Sequence, residues 1–132
     1  MPHIVLQLSG APDQPLARNA VDRVIEHTMA ELGKKKEVIA ITVQFISADD
    51  WYIAGKTLAE LGQSAFHLDI SVTDETNTKA ETARFLNAIH ADFKRLRPNL
   101  HECSYIHVID ARAAAYGYGG KTQEFRHQAA GV

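Results

Sequence analysis

Seven histidines, one cysteine and a proline in second place are the residues of this 132-residue chain with chemistry to offer. The histidines are tested first as metal ligands. His67-x-Asp69 would share one strand face, and His101-Glu102-Cys103 is contiguous with His107 close behind. None of these spacings matches His-x-x-x-His, Cys-x-x-Cys or a facial triad, so no metal is expected. His27 and His90 fall in helical stretches and His127 in the tail, as exposed polar positions. Cys103 has no nucleophile motif around it and reads as a small residue in or near a strand. A Gly-x-Ser-x-Gly elbow is absent as well.

Pro2 is the residue that remains. With Met1 removed, as expected before a small residue, Pro2 exposes a secondary amine. Ordinary α-amino groups titrate at about 7.7–8.0. An apolar pocket or a neighbouring cation lowers that value, leaving an unprotonated base near neutrality. Kept protonated, the same group serves as an acid or an electrostatic anchor. Either role requires Pro2 to be held rigidly, and a strand that starts at His3 would do so.

The elements that must position Pro2 follow from periodicity. His3 to Leu8 alternates, with Ile4, Leu6 and Leu8 on one side, and stops at Ser9-Gly10. Asp13 and Pro15 open a helix whose apolar stripe runs from Leu16 to Leu32, with Gly33 as its stop. Val38 to Ile46 alternates again. After a connector, residues 47–64, Phe66 to Val72 forms a third strand and Thr73 to Asn77 supplies capping residues. Phe85, Leu86, Ile89, Phe93 and Leu96 make a second helical stripe before Pro98, and Cys103 to Asp110 a fourth strand. The tail, 111–132, reads as a hairpin arm and a short helix. The fold class is therefore α/β, a single domain of two β-α-β units, about 1–62 and 63–132, with two helices over a four-stranded sheet. Two helices cover one face only. The other carries Gln7, Thr42, Gln44, His67, Asp69 and Ser71 and meets solvent or another subunit.

A local echo supports the doubling. Trp51-Tyr52-Ile53-Ala54-Gly55-Lys56-Thr57 recurs as Tyr116-Gly117-Tyr118-Gly119-Gly120-Lys121-Thr122 at the same place in the second half. A shared turn accounts for the glycines, and the aromatics are available for ligand contact. Neither copy has the upstream glycine that a phosphate loop needs.

The chain-start Pro2, the repeated β-α-β unit and the segment Tyr116-Gly117-Tyr118-Gly119-Gly120 resemble the tautomerase superfamily. The likeness is to fused two-unit members such as malonate semialdehyde decarboxylases, cis-3-chloroacrylic acid dehalogenases and fused oxalocrotonate tautomerases, and it spans nearly the whole chain. It implies an amino-terminal proline catalyst, a homotrimer, a small-molecule substrate and no cofactor. Ala65 stands where a second proline would fall, which implies one active pocket per chain. The aromatic wall of the family falls on Trp51 and Tyr116. The family's carboxylate-binding arginines do not carry over: Ile39 and Tyr105 occupy the strand positions, and Val72-Thr73-Asp74-Glu75 the later one. Arg112, His107, Lys56 or Lys121 would have to replace them. The pocket expected from the resemblance is thus Pro2 with Trp51, Tyr105, His107, Arg112 and Tyr116, acting on a monoacid or neutral keto compound. Two other readings stay open: a ferredoxin-like binding or regulatory module, and a tautomerase-fold protein without activity.

Composition narrows the partners. Fourteen Lys+Arg against sixteen Asp+Glu leave a net charge of -2, without the basic surplus of a nucleic-acid module. Lys34-Lys35-Lys36 reads as a solvated turn. No stretch approaches the ~20 apolar residues of a bilayer span. One cysteine and no signal-peptide pattern fit a reducing, cytoplasmic setting.

Overall fold

The computed structural model describes residues 2–130; Met1, whose removal the Pro2 expectation requires, lies outside them. The first strand, β1 (His3–Ser9), buries Ile4, Leu6 and Leu8 and turns His3 and Val5 outward. Helix α1 (Gln14–Leu32) follows. The Asp13 carboxylate accepts the Leu16 N–H at 3.0 Å, Pro15 sits in the first turn, and Gly33 ends the helix at φ 67°. A 3-10 turn (Lys36–Val38) leads into β2 (Ala40–Ile46), which pairs parallel to β1. Parallel pairing requires a crossover, and α1 provides it.

The connector 47–64 holds more structure than its sequence suggested. It contains a small antiparallel hairpin, β3 (Tyr52–Ile53) and β4 (Lys56–Thr57), and a one-turn helix α2 (Leu58–Leu61). Thr57 and Glu60 close a capping box on α2. Trp51, Leu58 and Ala65 form a satellite core beneath it.

The second half repeats this order. Strand β5 (Phe66–Thr73) runs antiparallel beside β1, helix α3 (Lys79–Leu96) crosses over, and β6 (Tyr105–Ala111) pairs parallel to β5. The cap of α3 is Thr78, one position past the expected stretch, because only there does Glu81 complete the reciprocal pair of hydrogen bonds. The tail forms the hairpin β7 (Gly117–Tyr118) and β8 (Lys121–Thr122), then α4 (Gln123–Ala129).

The sheet order is β2-β1-β5-β6, with the two β-α-β arms on either side of the central antiparallel pair. Helices α1 and α3 lie side by side over one face. Ile4, Leu6, Leu8, Leu68, Ile70 and Val72 meet Val24, Phe85, Ile89 and Phe93 there. Each such side chain contributes about 1.5–3 kcal/mol on burial, so this layer holds the sheet rigid. His27 departs from the exposed position expected for it. It is largely covered and hydrogen-bonded to Asp92 of α3, because both side chains point into the seam between the helices. His90 is half-buried on the same helix pair. No helix among the described residues is long and apolar enough to cross a membrane.

Candidate active site and an adjoining aromatic cavity

Pro2 is buried at the head of β1. Its carbonyl accepts the Ala40 N–H at 3.3 Å, and the next residue, His3, pairs with Ala40 on one side and Ser71 on the other. A residue flanked by two strands has little freedom, which is the rigidity the amine chemistry needs. The end of β5 and the start of the tail complete this end of the sheet. Thr73 pairs with Ala111, the Asp74 N–H reaches the Ala111 carbonyl at 2.9 Å, and Arg112 comes next. The Tyr116 hydroxyl bonds Thr73 Oγ1 at 3.0 Å. Burial pushes the Tyr116 phenol above its ordinary value; the Thr73 bond opposes this and the Asp74 carboxylate adds to it. Tyr116 is therefore a neutral hydroxyl at this end. Gly117 is required beside it, since a Cβ there would lie 1.9 Å from the Lys121 carbonyl oxygen. A shallow cavity of about 250 Å³ separates Tyr116 from Lys121.

The other sequence candidates stand elsewhere in the chain. Gln7 pairs with His67, and His67 with Tyr105, so these share a row near the far end of β1. Gln7 lies five steps along the strand from Pro2, about 17 Å. Trp51 packs against His67 with the rings tilted by 52° and their centroids 4.6 Å apart, and Tyr105 meets the same imidazole edge-on at 6.1 Å. Together they border a cavity of about 580 Å³ that Asp50, Tyr52 and Ala54 also line. His107 lies two residues further along the open face, opposite Asp69, in an adjoining recess. Within one chain, then, Arg112 and Tyr116 share the Pro2 end, Trp51 and Tyr105 share the opposite end, and His107 lies between.

His67 and Asp50 line the second cavity without having been singled out as binding residues. The alternation of β5 already put His67 on the open face beside Gln7. What the sequence withheld was the hairpin that brings Trp51 back over it. Ala65, at the position of a second proline, is buried, and its N–H donates to Ser9 Oγ at 3.0 Å. It is an ordinary amide, with no amine to offer. Among the described residues no group of three His, Cys, Asp or Glu side chains stands close enough to hold a metal ion.

The chain matches no family model and no curated protein. Solved structures do match it. A native fused 4-OT superimposes with a TM-score of 0.81 at 13% identity, over 93% of this chain and 97% of that one. The chain has the tautomerase fold. Its β2-β1-β5-β6 sheet is thus the tautomerase-fold sheet, with Pro2 at the head of an inner strand. A fused 4-OT solved as an asymmetric trimer gives 0.80 at 11% identity, over 94% and 98% of the two chains. The macrophage migration inhibitory factor-like protein of Entamoeba histolytica gives 0.71 at 14%, over 92% and 97%. The ferredoxin-like alternative gives way to this tautomerase-fold match.

Proposed function

We propose that this chain is a tautomerase-like enzyme in which Pro2, freed of Met1, is the general acid/base for a small enolisable keto or enol acid or a related carbonyl compound. The observation that carries the reading is the burial of Pro2 at the head of an inner strand, with its carbonyl tied to Ala40. A secondary amine held there is desolvated, and desolvation favours its neutral form near pH 7. In ketonisation the neutral amine takes the enol O–H proton and delivers it to the substrate α-carbon, returning to its neutral form. In the reverse direction the neutral amine takes the α-proton and returns it to the carbonyl oxygen. The rigid site replaces a bimolecular encounter with a held geometry.

Tyr116 supplies the wall and a neutral hydroxyl, and Arg112 and Lys121 are the cations of this end for a single carboxylate. Asp74 and Glu75 lie on the same turn, which disfavours a dicarboxylate substrate. We further propose that the whole chain is one domain of two β-α-β units that assembles as a homotrimer, as fused 4-OT neighbours do. Trp51, Tyr105 and His107 of a neighbouring copy would then be the ones available to a Pro2 pocket.

The test is the tautomerisation of phenylenolpyruvate followed by absorbance. The parent chain, with an intact mass showing loss of Met1, should catalyse it, and Pro2→Ala should lower kcat/KM by at least about 100-fold. Full activity in Pro2→Ala, or a retained Met1 in an active preparation, ends the mechanism.

A further inference from the structure

The two small hairpins are tied to their helices by the same hydrogen bonds. The Leu58 N–H donates to the Trp51 carbonyl and the Gln123 N–H to the Tyr116 carbonyl, both at 2.9 Å. The Ala59 N–H reaches the Ala48 carbonyl at 3.2 Å, and the Glu124 N–H the Ala113 carbonyl at 3.0 Å. Gln123 is therefore the counterpart of Leu58. The sheet repeats the relation, since β6 lies parallel beside β5 as β2 lies beside β1, about an antiparallel centre. Leu58 is buried against Trp51 and Ala65, the residue that leads into β5. The residue that leads into β1 is Pro2. The same relation thus sets Gln123 beside Tyr116 at the head of β1.

Direct contacts agree with that placement. Tyr116 bonds Thr73, and the register of β1 on β5, His3 opposite Ser71, puts Thr73 one step beyond the level of Pro2. Gln123 and Thr73 also line one cavity of about 500 Å³. Where the first half closes its core with a leucine, the second half has an amide. Its Oε1 is buried and accepts no hydrogen bond among the described residues. A buried acceptor left empty is destabilising, so its place in the fold calls for a donor. Pro2 within a peptide bond has no N–H, but Pro2 freed of Met1 has one.

We propose that Gln123 Oε1 accepts the N–H of the freed Pro2 amine and thereby aims the nitrogen lone pair at the substrate; this rests on the role proposed for Pro2. A neutral secondary amine has one N–H and one lone pair on a nitrogen that inverts freely. Holding the N–H on Gln123 selects one of the two arrangements and leaves the lone pair for the reacting proton. The protonated amine has two N–H bonds: one stays on Gln123 and the other proton passes to the substrate. Gln123 exchanges no proton itself and is a positioning residue. Its bond to the cationic amine is stronger than its bond to the neutral one, which favours the protonated form.

The test reads the amine directly. The chain has four prolines, and only Pro2 can have a nitrogen that titrates, so carbon-13 proline labelling follows it by NMR. Gln123→Leu, which copies Leu58, should lower the Pro2 pKa by about 0.5–1. Its kcat on phenylenolpyruvate should fall about 10-fold with KM within about twofold, the circular dichroism being unchanged. Gln123→Glu keeps an acceptor and adds charge, so it should raise the same pKa and hold kcat within about threefold of the parent. The other titratable groups of this end are Lys34 after α1, Asp74 and Glu75 after β5, Arg112 after β6, and Tyr116, Lys121 and His127 in the tail. All are common to every variant, which assigns a changed titration to position 123. Gln123→Glu alone decides where the leucine variant does not fold. A titrating Pro2 that neither variant moves, or that Gln123→Leu raises, overturns the assignment of Gln123 and leaves Pro2 as the catalyst. A parent chain in which no proline titrates overturns both.

Discussion

At the scale of single residues, the two hairpins differ at one telling position. Ala54-Gly55 and Gly119-Gly120 occupy the same turn, and all four residues have positive φ, from 54° to 81°. Only Ala54 carries a Cβ, which meets its own backbone in this region and costs about 1–2 kcal/mol. Replacing it by glycine removes that cost but adds about 0.4–1 kcal/mol of chain entropy to the unfolded state. Ala54→Gly should therefore stabilise the chain by about 0.5–1 kcal/mol, read as a higher urea midpoint at constant m-value. An unchanged or lower midpoint would mean that the Ala54 methyl makes packing contacts worth as much as the strain. The strain itself was not visible in the sequence. Ala-Gly at a turn is unremarkable until the backbone shows that both residues must be left-handed.

At the scale of elements, α1 and α3 are joined by more than apolar contact. His27 of α1 bonds Asp92 of α3, and Arg95 reaches the same carboxylate from one turn further on. Burial alone would raise the Asp92 pKa. The hydrogen bond and charge of His27, with Arg95 in support, outweigh it and hold the carboxyl below its ordinary value. A depressed carboxyl contributes its stability in full above the unfolded value of about 3.9 and loses it as pH falls through the folded one. Asp92→Asn should cost about 1–2 kcal/mol at neutral pH and much less once the pH has fallen through the folded value, giving a shallower acid limb in urea unfolding. A parallel offset at both pH values would assign the loss to packing instead. The helices themselves were legible from the stripes Leu16–Leu32 and Phe85–Leu96, and the strands from their alternation, since burial of one face imposes both periods. The short pieces were not. β3, β4 and α2 are each two to four residues long, too short for any period to show. Only the repeated Gly-Lys-Thr marked them, and it was legible as a turn rather than as a device that folds Trp51 onto His67. His27 was misplaced for a related reason: a polar residue on a helix looks solvent-facing until the second helix that covers it is in position.

At the scale of the whole molecule, the sheet leaves two features without a partner in a single chain. Strands β2 and β6 are open edges, and the face opposite the helices is bare. That face was legible as half polar and half small, but what meets it was not, because such residues suit water and a subunit equally. Val5 stands in its middle at 36% exposure, between Thr42 and Asp69. An open edge beside a second open edge invites pairing between copies, and three copies with their bare faces inward would close both defects at once. Fused 4-OT neighbours are solved as trimers, one asymmetric and one symmetric. Sedimentation of the parent chain should then give a species near three times the chain mass of 14.6 kDa. Val5→Glu would place a second carboxylate per copy beside Asp69 inside the assembly, and like charges brought together out of water cost several kcal/mol. The variant should sediment as a monomer while keeping the helical circular dichroism of the α1–α3 layer, which Val5 does not touch. A parent chain that sediments as a monomer at micromolar concentration, or a Val5→Glu chain that stays trimeric, would place the bare face in water instead.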